Sequence, residues 1–170
     1  MTTKQFRYPK LPVSIKERIS NANYYLDAAS RIPLRGFEAI RISLLLTAWE
    51  NVQIAEEELH SWAQQTPPAQ KLYTSHAYKF RNIRKSKSID RIVINSRGKA
   101  ETTSYVTASD FERLLQICRY GFKNGTRDLA VVFKSGWFFE DFERALVSKI
   151  RWEETSVKMY EEIIISEKTT

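Results

Sequence analysis

Glycine and proline are scarce in this chain, five of each in 170 residues. A β-sandwich or barrel needs many more turn residues, so the shortage points to long helices. One cysteine, Cys118, rules out an intramolecular disulfide and any multi-cysteine zinc site. His60 and His76 are the only histidines, too few for a His-based metal cage. No glycine-rich loop could cradle a phosphate, and there is no helical His-Glu-x-x-His or recognisable Ser/His/Asp motif. Long apolar runs are also missing. Ile42 to Leu46 is already broken by Ser43, whereas a bilayer span needs about 20 residues. The basic stretch Met1 to Lys10 leads into no apolar segment of the signal-peptide kind. The expectation is a cytoplasmic protein with no membrane association, no metal and no cofactor.

Hydrophobic residues make up 42% of the chain, including 21 aromatics, which is enough for a packed core and too much for a solvated coil. The length fits one domain. Pro9 and Pro12 mark residues 1–13 as an arm, followed by a single helical domain over 14–166. Ser14 and Glu17 form a capping-box signature for a first helix ending near Arg31, with Ile15, Ile19, Ala22, Leu26 and Ala29 on one face. A second helix is predicted from about Arg35 to Gln64 on the apolar series Phe37, Ile40, Leu44, Ala48, Val52, Ala55, Leu59 and Trp62. Pro67 or Pro68 opens a third, carrying Leu72, Tyr73, Ala77, Phe80 and Ile83. Ile89 to Ile94 fits helix or strand equally, and Ser96 to Tyr105 reads as a loop. A fourth helix, capped by Thr107 or Ser109, carries Phe111, Leu114, Leu115, Cys118 and Phe122 and ends near Gly121 or Gly125. Leu129 to Phe133 is β-prone and Ser135-Gly136 reads as a turn. A last helix, from about Glu140 to Ile165, turns Phe142, Leu146, Ile150, Val157, Tyr160 and Ile164 inward. The predicted fold is all-α: an antiparallel bundle of about five helices with a short extended insertion before the last.

Charge is unevenly placed. Residues 79–99 hold eight basic groups and one acid, Asp90, a surplus that equals the net charge of the whole chain, +7. Such a stripe attracts polyanions, and Arg81, Arg84, Lys85, Lys87 and Arg91 are the candidate nucleic-acid contacts. A solvated helix face with a basic loop is the alternative. Acids gather at Glu56, Glu57 and Glu58 and again at Glu153, Glu154, Glu161, Glu162 and Glu167, and either group could pair with the stripe.

Three residues are candidates for chemistry. His76 and Lys79 are three apart on the third helix and share a side, with Lys71 five residues before the histidine. A histidine beside fixed cations can move a proton while the cations neutralise charge on a phosphorane-like centre. Glu50 lies among Leu44, Leu45, Leu46, Ala48, Trp49 and Val52, where a carboxylate facing inward needs a partner such as Lys79, Arg41 or a helix terminus. An exposed Glu50 opposite the core is the alternative. His76 and Lys79 are expected to face the second helix near Glu50, where a packing role competes with a chemical one. Cys118 reads as a buried structural thiol and His60 as a surface residue.

The segments Ala22-Asn23-Tyr24-Tyr25-Leu26-Asp27-Ala28-Ala29, Gly36-Phe37-Glu38-Ala39 and Leu44-Leu45-Leu46-Thr47-Ala48-Trp49-Glu50 resemble the AbiV family of bacterial abortive-infection proteins. His76-Ala77-Tyr78-Lys79 matches that family's His-x-x-Lys motif, and Arg127 to Phe133 with Trp137 is similar to a later one. The family's second glutamate is Asn51 here, its Gly and Lys are Gln53 and Ile54, and its Tyr is Ala130. The resemblance implies phage defence through shutdown of translation or RNA. AbiV-like proteins are similar in turn to the HEPN superfamily of helical ribonucleases and toxin partners, which implies an HEPN-like bundle. The HEPN signature is an arginine followed four to six residues on by a histidine, and its nearest counterpart here is Lys71 with His76.

Two expectations follow. One is an abortive-infection effector acting on RNA or the translation machinery, as an enzyme or as a binder; as an enzyme it would be a metal-independent ribonuclease with Glu50, His76 and Lys79 as the catalytic set. The other is a non-catalytic interaction module, an antitoxin-like partner or a sensor of a phage protein. The basic stripe favours the first, and the substitutions at Asn51, Gln53 and Ile54 favour the second. A homodimer is expected from the HEPN likeness and from the segregated charges.

Overall fold

The computed structural model describes residues 9–33, 37–83, 91–94, 100–103, 111–112, 115–116, 118–119 and 136–168. Helices dominate: α1 (Val13–Ser30), α2 (Glu38–Ala63), the short α3 (Lys71–Thr74) and α4 (His76–Phe80), and the long α5 (Gly136–Lys168). The described residues between 111 and 119 are also helical. The two strands, β1 (Arg91–Ile94) and β2 (Ala100–Thr103), pair antiparallel with Arg91 opposite Thr103 and Ile94 opposite Ala100. The fold is thus an all-α bundle carrying a small hairpin.

α2 is the hub, packing against α1, α3, α4 and α5. Its middle is hydrophobic nearly all round. Ile42, Leu45, Leu46, Ala48, Trp49, Val52, Ile54 and Ala55 are all buried, the pattern of a helix enclosed by others. Contacts along the helices fix their directions. Ser14 meets Glu58 and Arg41 meets Ile32, so α1 and α2 are antiparallel. Lys16 meets Glu161 and Asn23 meets Glu154, so α1 and α5 are antiparallel too. α2 and α5 therefore run the same way, joined by Arg41–Glu143 near one end and by the Trp62–Tyr160 ring contact near the other. Phe142, Leu146, Ile150, Val157 and Ile164 are the buried apolar residues of α5, and Tyr160 is partly buried against them.

Several local expectations are corrected. Ser14 does not cap α1. Pro12 holds the N-cap position without a side-chain bond, and Ser14 Oγ donates to Glu58 Oε2 at 3.1 Å instead. Phe37 and Ile40 are half-exposed, because α2 enters its enclosed section only from Ile42 onward. α2 ends at Ala63 with Gln64 as its C-cap, close to the expected end, and Gln65 beyond it has a left-handed φ of 54°. Gln65 N donates to Trp62 O at 3.1 Å and Thr66 N to Ser61 O at 2.9 Å, closing a Schellman motif. The third helix begins at Lys71, after Pro67 and Pro68, and Ser75 in extended conformation divides it in two. Gly136 opens α5 instead of making a turn. Residues 100–103 form a strand where a loop was expected: Thr102 and Thr103 are β-branched and pair with Ile92 and Arg91. Residues 91–94, equally fitted to helix, are the partner strand. The extended stretch expected at 129–133 and the caps at Thr107, Ser109, Gly121 and Gly125 lie outside the described residues.

Candidate functional site

α4 owes its position to aromatic packing and to one polar cap. Phe80 at its end, Phe111, Phe142 and Trp49 form a chain of rings with neighbouring centroids 5.5–6.0 Å apart, linking α4, the 111–119 helical residues, α5 and α2. At the other end of α4, Tyr78 N donates to Ser75 Oγ at 3.2 Å, as Ser does at an N-cap. Helical spacing then puts His76 and Lys79 on the side facing α2.

Glu50 is the centre of what results. It is buried, 6% exposed, with its carboxylate enclosed by cations. His76 Nδ1 donates to Oε1, and Lys79 Nζ lies 3.6 Å from the same oxygen. Arg119 Nη2 lies 3.7 Å from Oε2 and donates to Thr47 Oγ1 at 2.9 Å. Thr47 Oγ1 in turn donates to Ser43 O at 2.7 Å, so the guanidinium is held by a fixed hydroxyl. A carboxylate accepts, so the contact assigns a proton to Nδ1 of His76, and Nε2 is the ring nitrogen not engaged by Glu50. Lys79 is buried at 8% exposed, a position an ammonium tolerates beside a carboxylate. One carboxylate thus faces Lys79, Arg119 and the His76 imidazole, and the cluster has a cationic surplus.

The sequence-predicted residues distribute as follows. Glu50, His76 and Lys79 come together. Arg41 does not join them: it sits nine residues before Glu50, at the far end of the helix, and pairs with Glu143 at 2.7 Å. Lys71 is exposed on α3, and the extended Ser75 separates it from the helix that carries His76. Arg81 pairs with Glu57 and stacks 3.5 Å above the Tyr78 ring, so α2 takes up the first two cations of the basic stripe, Lys79 through Glu50 and Arg81 through Glu57. Arg84, Lys85 and Lys87, and the Arg91 side chain, lie outside the described residues. His60 is exposed, and Cys118 is partly buried against the core, its thiol pushed up to about 12 by burial. Arg119 and Thr47 are site residues that the sequence does not single out. Arg119 follows the inward Cys118 by one residue, a step that sets it at the edge of the buried face.

A second polar cluster joins α2 to α5. Gln53 is fully buried, and its Nε2 donates to Glu56 at 2.6 Å and Glu57 at 3.3 Å, while its Oε1 has no partner among the described residues. Lys149 Nζ pairs with Glu56 at 2.6 Å and lies 5.6 Å from the Trp49 ring. Glu153 is 3% exposed beside them. Burial, and then the charge of Glu56, push its carboxyl up to about 7 against the opposing pull of Lys149.

Among the described residues no group of three or more His, Cys, Asp or Glu side chains could hold a metal ion. Nor, among them, is any helix long and apolar enough to cross a membrane. Comparison with protein-family profiles, with curated proteins and with solved structures finds no match to this chain.

Proposed function

We propose that the chain is a bacterial anti-phage effector of the abortive-infection type, acting on RNA or on the translation machinery, with Glu50, His76 and Lys79 as its working residues. The observation that carries the reading is the convergence of His76, Lys79 and Arg119 on the buried carboxylate of Glu50. The carboxylate fixes the imidazole's tautomer and orientation, as it does for many catalytic histidines. In a metal-independent ribonuclease, Nε2 of His76 takes the proton of a ribose 2′-hydroxyl as its oxygen attacks phosphorus; the P–O5′ bond breaks, leaving a 2′,3′-cyclic phosphate and a 5′-oxygen that takes a proton from water, while Lys79 and Arg119 neutralise the charge that builds on the phosphate oxygens. Arg84, Lys85, Lys87 and Arg91 would guide the backbone towards this point, and a homodimer would present two such sites. The AbiV-like order of the residues supports the same reading.

The test is binding and cleavage of a single-stranded RNA by the purified protein at two salt concentrations. The proposal expects affinity to fall steeply from low to physiological salt, and reversal of Arg84 and Lys85 to Glu to weaken binding whatever the RNA sequence. Unchanged binding in that double variant overturns the nucleic-acid assignment. A second reading, an interaction module without catalysis, is favoured by Asn51. Its Nδ2 donates to Thr47 O at 2.9 Å, so it caps a local backbone group where the resembled family has its second acid. Under that reading RNA neither binds nor is cleaved, and a phage protein is the ligand.

A further inference from the structure

The outward face of α5 presents two large apolar side chains to solvent. Trp152 is 71% exposed and Met159, two helical turns on, is 50% exposed. Ser148, Thr155, Ser156 and Ile163 share that arc, which carries no charge from Ser148 to Met159. Three acids of this helix are turned elsewhere: Glu153 is buried, Glu154 accepts from Asn23 of α1, and Glu161 pairs with Lys16. Arg151 and Lys158 line one edge of the arc, both exposed and seven residues apart, with Glu162 closing the run beyond them. The face is therefore an uncharged strip with Trp152 and Met159 as its exposed apolar residues and a cationic border on one side.

We propose that this face docks an amphipathic helix of a partner protein, one with apolar residues at heptad spacing and a row of acids along one edge. Trp152 and Met159 supply the anchors, since a tryptophan covered at an interface contributes a large apolar area. Arg151 and Lys158 select the partner's acidic edge and fix its register. Charge also argues against a second copy of this chain. A second copy offers one acid, Glu162, beside its own Arg151 and Lys158, and so lacks the acidic row that this edge calls for. Nucleic acid fits less well, because cations border only one side of the strip and Glu162 interrupts them. The inference is independent of the Glu50 cluster.

The experiment uses the full chain and two designed helical peptides with the same leucine heptads, one with glutamate along the flanking edge and one with lysine. Fluorescence anisotropy of labelled peptide reads the binding, with a labelled RNA and anionic vesicles as separate arms. The acidic peptide should bind at least about tenfold tighter than the basic one, and Trp152→Ala and Lys158→Glu should each weaken it by about tenfold. Both positions are exposed, so circular dichroism melting of these variants should match the parent. Equal binding of the two peptides, no binding of the acidic one, or a Trp152→Ala effect seen only with RNA or vesicles would overturn the proposal.

Discussion

At the residue scale, Glu50 shows how a buried charge is held in place. Its burial would be costly alone, and His76, Lys79 and Arg119 offset it. Removing the carboxylate strands the buried Lys79, so Glu50→Ala should lower unfolding free energy by about 3 kcal/mol in urea titrations. A loss below about 1 kcal/mol would mean that the cations find other partners. Glu153 gives the opposite case. Its carboxyl titrates at about 7 in the fold against an ordinary 4.5, so the folded chain keeps a proton the unfolded chain has lost between these values. Stability should therefore fall as pH rises through that window, with the full penalty, of the order of 3 kcal/mol, present above about pH 7. Glu153→Gln should stabilise the protein at pH 8 and change little at pH 4, read as melting temperature against pH. An unchanged pH profile in the variant would place the titration elsewhere.

At the element scale, the long helices were legible because their apolar residues recur at threes and fours over many turns. The inward residues of α5, Phe142, Leu146, Ile150, Val157 and Ile164, are the ones its periodicity selects. Boundaries were less legible. A Schellman motif is set by backbone conformation, and a glutamine at its left-handed position leaves no sequence signal. Gln65→Gly should relieve that strain and stabilise by up to about 1 kcal/mol, measured by chemical denaturation. Destabilisation would mean that the Gln65 side chain contributes more than its backbone costs. The hairpin was half-legible: Arg91–Ile94 fitted two periods, and only pairing with Ala100–Thr103 decides between them. Of the site, Glu50, His76 and Lys79 could be read because a carboxylate in an apolar helix and a His-x-x-Lys pair are local patterns. Arg119 could not, because its approach to Glu50 depends on ring packing around Phe111, more than sixty residues further along the chain than Glu50.

At the scale of the whole molecule, α2 is enclosed by the other helices and carries Glu50 at its centre, while the ring chain from Trp49 to Phe80 brings α4 against it. The central claim is that this arrangement serves chemistry through His76 as well as packing. The most direct test is phage protection, or growth arrest on expression, by the His76→Ala variant, set against its melting temperature. The account predicts that protection is abolished while the melting temperature falls by no more than about 4 °C, the shift expected for ~1 kcal/mol in a chain of this size. Protection that persists, or that declines only in proportion to a larger loss of stability, would contradict it.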